Sequence, residues 1–81
     1  MDERRSEPRR RVLLPGKIVL DGGGAIDCMI RDRSAVGARL KVASVIGIPD
    51  MFTLVVGMGD ERHAVGVAWR KQNELGVQFV P

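Results

Sequence analysis

The sequence predicts an all-β protein, a six-stranded antiparallel barrel. Three observations lead there. Short stretches of alternating apolar and polar residues recur, with a turn signal roughly every ten residues. No stretch keeps a helical period across three turns. The chain has 81 residues, 44% of them hydrophobic and only 4% aromatic. That is one small domain with an aliphatic core, and strands with one apolar face each are best buried when the sheet closes on itself.

The elements follow in order. Residues 12–20 (VLLPGKIVL) read as the first strand, with Pro15 and Gly16 marking a bulge or an edge. Asp21 to Gly24 form a turn. Residues 25–32 put Ile26, Cys28 and Ile30 on one face and Asp27, Met29 and Arg31 on the other. Residues 38–42 alternate, with Ala38, Leu40 and Val42 inward and Arg39 and Lys41 outward. A connector with Gly47 and Pro49 leads to a strand at 51–56, then a hairpin loop at 57–60. Residues 62–70 form the fifth strand, with His63, Val65, Val67 and Trp69 on one side. A turn at 71–74 leads into the last strand, 75–80. The expected division is a flexible arginine-rich arm over residues 1–11 and a barrel over 12–81, with no C-terminal helix.

The formal net charge is +3, and residues 1–17 carry all of it. The five positive charges of the arm itself, Arg4, Arg5, Arg9, Arg10 and Arg11, are all arginine. A guanidinium is a planar fork that suits phosphates and the O6/N7 edge of guanine, whereas an ammonium is a point charge. The start of the chain is too charged for a signal peptide, and no apolar run is long enough to span a bilayer. A soluble, cytoplasmic protein is the expectation. One cysteine and one histidine exclude an internal disulfide and leave a zinc site short of ligands.

Templates for catalysis fail. Cys28 falls among inward apolar residues and reads as a buried structural thiol. His63 has no neighbouring Cys or Ser to form a dyad. Gly22-Gly23-Gly24 lacks the helix that a phosphate loop needs. Two features remain. One is R-x-x-x-R, formed by Arg5 and Arg9 with Arg4 preceding it. The other is D-x-S-x-x-G, formed by Asp32, Ser34 and Gly37 between the second and third strands. Read alone, the second is an ordinary turn, in which Asp and Ser bond their own backbone and Gly37 supplies a positive φ.

In this order and spacing, with Gly66–Val80 as two closing strands, the pair resembles the PilZ domain family over nearly the whole chain. That family is a six-stranded barrel receiving the bacterial second messenger cyclic diguanylate (c-di-GMP). The resemblance implies roles. Arg5 and Arg9 grip guanine edges and phosphates, and Arg4 adds a phosphate or second-guanine contact. Asp32 accepts from guanine N1–H and N2–H. Ser34 bonds a phosphate or a base edge. Gly37 holds the turn and allows close backbone approach. Trp69 matches a strand position that lies near the bound base in some members, or is simply a half-buried barrel residue. The chemistry agrees independently, because the ligand offers two guanines and two phosphates, to which arginine forks and a carboxylate are complementary.

The implied function is binding without catalysis, with no cofactor beyond the c-di-GMP ligand. Many members carry a helix after the last strand, whereas this chain stops at Pro81, so the cover of the barrel end and dimerisation are open: the protein is either a monomer or a ligand-mediated dimer. With no attached output module, a stand-alone adaptor that signals to a separate effector protein is expected. Three charge-assisted Arg contacts contribute roughly 5–9 kcal/mol, and ordering the arm offsets much of it at about 1–2 kcal/mol per residue. Affinity should therefore be about micromolar. Replacing Arg9 or Asp32 by Ala should weaken binding with little effect on the ligand-free thermal midpoint. Two rivals stand beside this reading. One is a small basic barrel that binds RNA or DNA through the arm, although Phe52, Phe79 and Trp69 are too scattered for a stacking platform. The other is a degenerate member that only binds protein.

Overall fold

The computed structural model describes residues 10–59 and 61–81. Every regular element among them is a strand. They are β1 (Arg10–Val19), β2 (Ala25–Arg33), β3 (Gly37–Lys41), β4 (Met51–Val56), β5 (Glu61–Lys71) and β6 (Glu74–Phe79). They close into an antiparallel barrel in the order β1-β2-β3-β6-β5-β4, with β1 pairing to both β2 and β4. The fold class expected from the sequence is the one observed.

The core is aliphatic because the chain has few aromatics to place there. The largest fully buried side chains come one from each strand: Ile18, Ile30, Leu40, Leu54, Val65 and Leu75. Phe52, Val56, Val77 and Cys28 complete the layer. Even an eight-stranded barrel has an interior only just wide enough for its own side chains, so a six-stranded one has no room for a ligand inside. Any binding site must lie on the outer face or at a rim.

Strand limits differ from the sequence reading at several ends. The first strand starts at Arg10, not at residue 12, so two arginines assigned to the arm belong to the barrel. The second continues through Arg33, and the third starts at Gly37, which shortens the connecting loop to Ser34, Ala35 and Val36. Pro15 and Gly16 lie in regular register with Met29 and Cys28; the irregularity of β1 falls between Arg11 and Leu14. Gly16 is required for packing, since a Cβ there would stand 2.9 Å from the Val55 carbonyl.

Two bulges decide which residues face outward. The register of β2 against β3 shifts between Ile30 and Asp32, with Arg31 as the extra residue. The register of β5 against β6 shifts between Val67 and Trp69, with Ala68 as the extra residue. An extra residue reverses the alternation beyond it. Asp32 therefore points outward although Ile30 points inward. Trp69 likewise leaves the side shared by Val65 and Val67, which corrects the expectation that all of His63, Val65, Val67 and Trp69 share one side.

Candidate functional site

Residues directly opposite each other in antiparallel strands share a face. Arg11 stands opposite Asp32, Asp32 opposite Arg39, Arg39 opposite Gly76, and Gly76 opposite Trp69. These five residues form one outward row across β1, β2, β3, β6 and β5. Both bulges, together with the irregularity of β1 between Arg11 and Leu14, are needed to align it.

Asp32 is its acidic centre. It is only 6% exposed, and its Oδ2 accepts a hydrogen bond from Arg39 Nε at 2.6 Å. Arg39 Nη1 also donates to Glu74 Oε2 at 3.3 Å. The bond to Asp32, with Glu74 adding to it, raises the Arg39 pKa above its usual value. The short bond from Arg39 fixes the orientation of the carboxylate as a hydrogen-bond acceptor.

Beside this pair lies the loop from Ser34 to Gly37. Ser34 N donates to the Gly37 carbonyl at 2.9 Å, and Ser34 Oγ accepts from Val36 N at 3.2 Å. The hydroxyl proton of Ser34 is thus directed to donate elsewhere. Phe79 N donates to the Val36 carbonyl at 2.8 Å, which clamps the loop onto the end of β6. Gly37 does not have a positive φ; only Gly23, Gly47 and Gly57 do among the described residues. Its requirement is closeness instead, because a Cβ would lie 2.3 Å from the Val77 carbonyl oxygen. That corrects the positive-φ expectation.

Trp69 supplies a flat surface. A Cβ on Gly76 would overlap its indole, with Nε1 at 2.1 Å and Cε2 at 2.3 Å. The ring therefore lies directly on the β6 backbone, where a residue without a side chain leaves room. Trp69 is 39% exposed, and Lys71 Nζ sits 5.7 Å from the ring centroid.

These groups line one cleft of about 250 Å³, with Asp32, Ser34, Gly37 and Trp69 all on its walls. A shallower groove of about 400 Å³ shares Asp32, Arg39 and Trp69 and adds Arg11, Lys71 and Glu74. The structure thus brings together four of the sequence-predicted site residues. The other three, Arg4, Arg5 and Arg9, lie outside the described residues. Four groove residues, Arg11, Arg39, Lys71 and Glu74, were missed by the sequence reading. Arg39 and Lys41 both alternate outward in sequence, and nothing local shows which of them meets Asp32. Glu74 and Arg11 become neighbours only through strand pairing.

At the adjoining rim, Arg33 Nη2 donates to Glu61 Oε2 at 2.7 Å, and His63 Nε2 lies 2.8 Å from the same oxygen. Arg33, and less strongly His63, hold the Glu61 carboxyl down at about 2. The His63 ring stacks on Phe79 with centroids 4.5 Å apart. Cys28 is 8% exposed, and burial pushes its thiol up to about 11, so it is neither ionised nor accessible at neutral pH. The cleft offers an acceptor, a cationic fork, a hydroxyl and an aromatic plane. Such a set is chemically complementary to a planar heterocycle that bears N–H donors and adjacent anionic groups.

A family model described as PilZ domain matches residues 3–81, nearly the whole chain. No curated protein matches it.

Proposed function

The chain belongs to the PilZ domain family, a family of c-di-GMP receptor domains, and from that membership we propose that it binds c-di-GMP on the outward row of β1, β2, β3, β6 and β5. The observation that carries the proposal is where β1 begins. Arg10 pairs with Arg33 and Arg11 with Asp32. The first described residues of β1 therefore lie beside Asp32, at the corner where Ser34 follows β2.

In this reading Asp32 accepts from guanine N1–H and N2–H, and Ser34 donates its hydroxyl proton to a phosphate oxygen or a base edge. The base stacks on Trp69, and Arg5 and Arg9, assisted by Arg4, close over the guanines and phosphates. Nothing in the set is arranged to break a bond, so the protein acts as a receptor. The arm orders over the barrel on binding, and the new surface is read by a separate effector in the cytoplasm. A nucleic-acid interface is less well supported. Phe52 is buried and Phe79 is packed against His63, which leaves Trp69 as the exposed aromatic ring among the described residues, too little for a platform.

Calorimetric titration tests the proposal. Wild type should bind c-di-GMP at about micromolar Kd and ignore GTP. Asp32→Ala should weaken binding by about 1–3 kcal/mol. Burial and the bond to Arg39 now predict a ligand-free stability cost as well, of about 1 kcal/mol, because the partner Arg39 is partly solvated. Equal heats with GTP, or no loss in the variant, would count against the assignment.

A further inference from the structure

Arg39 is the cationic fork of the outward row, and the receptor reading assigns it no atom of the ligand. Its guanidinium is tethered at two nitrogens, Nε to Asp32 at 2.6 Å and Nη1 to Glu74 at 3.3 Å. A side chain held at two points has its orientation set by both partners. Those contacts use two of its five N–H donors. The remaining three sit on the two terminal nitrogens, beside the Asp32 carboxylate. Opposite Arg39 stands Gly76, covered by the Trp69 indole.

The order of polar groups along guanine is two donors, N2–H and N1–H, followed by two acceptors, O6 and N7. Asp32 and Arg39 present the complement in the same order, acceptors and then donors, side by side on neighbouring strands. A base laid on the Trp69 plane would meet both along one continuous edge. We infer that Arg39 is a specificity-determining residue: it reads O6 and N7 of the guanine whose N1–H and N2–H are taken by Asp32, with Glu74 holding the fork in place. This inference rests on the receptor reading and adds a residue to it. The rival account is that Arg39 only neutralises a buried carboxylate.

The two accounts differ in one measurement. The 7-deaza analogue of c-di-GMP replaces N7 by C–H and removes one acceptor while keeping the shape. Wild type should bind it roughly tenfold more weakly than c-di-GMP, as expected for half of a bidentate pair. Arg39→Gln should bind c-di-GMP more weakly and lose the difference between the two ligands. Against the inosine analogue, which lacks the N2 amine, the same variant should still discriminate, because that edge belongs to Asp32. A neutralising role lowers affinity for all three ligands by one factor and leaves the ratios unchanged. Persistence of the full 7-deaza ratio in Arg39→Gln, or its absence in wild type, would overturn the inference while the receptor reading stands. Failure of wild type to bind c-di-GMP would overturn both. Should Arg39→Gln not fold, Glu74→Gln removes one tether and should shrink the 7-deaza ratio; an unchanged ratio there would count against the inference equally.

Discussion

Two glycines in the site are required for different reasons, and their replacement should separate function from stability. A Cβ at Gly37 would press on the Val77 carbonyl, which is backbone of the paired strand β6. Relief requires β3 and β6 to part, so Gly37→Ala should cost about 1–3 kcal/mol, the range for overpacking. At Gly76 the obstacle is the Trp69 side chain, which is partly exposed and free to swing outward. Gly76→Ala should leave the thermal midpoint within a few degrees of wild type. It should also red-shift Trp69 fluorescence and weaken c-di-GMP binding about tenfold, the loss expected for one stacked base. An unchanged emission spectrum would show that the ring does not rest where the geometry puts it.

At the scale of elements, a side-chain ion pair links β2 to β5, two strands that do not pair with each other. Arg33 on β2 and His63 on β5 both bond Glu61, which heads β5. The Glu61 carboxyl titrates at about 2 in the folded protein, below its unfolded value of about 4.3. A depressed folded value means that the stabilisation is complete above the unfolded one. It fades as pH falls from about 4 through about 2. Because the Glu61 side chain is 44% exposed, screening limits the contribution to about 1 kcal/mol or less. Wild type should therefore exceed Glu61→Gln in stability at pH 6, and the gap should close by pH 2. Chemical denaturation of both proteins across that range checks it; a constant gap would mean that the ion pair does no stabilising work.

Across the whole molecule, stability comes from one aliphatic layer to which each strand gives one fully buried residue. Leu40 and Leu75 are opposite each other within it, on β3 and β6, beneath the outward row. Leu40→Ala should cost about 2–5 kcal/mol, a large part of the 5–15 kcal/mol typical of a small domain. The thermal midpoint should fall by at least about 10 °C. The loss should reach ligand binding too, since β3 carries Arg39 and the filled barrel is the platform of the site. A midpoint within a few degrees of wild type would argue against a single shared core.

The barrel class, the number of strands and the aliphatic core were legible in the sequence, because alternation and turn chemistry are local properties; Asp32, Ser34 and Gly37 stood out only through a resemblance to a family motif. The outward positions of Asp32 and Trp69 were not legible. Each follows a single extra residue, Arg31 or Ala68, and a bulge is a mismatch between two strands that neither strand encodes alone. The partnership of Asp32 with Arg39 and Glu74 was hidden for the same reason: it joins β2, β3 and β6 through pairings between residues up to 35 positions apart. The positive φ that turn chemistry suggested for Gly37 is not observed, and the carbonyl that its missing side chain must admit belongs to β6. Composition and periodicity determined what the chain folds into, and the registers of the closed sheet decided which of its charges meet on the outside.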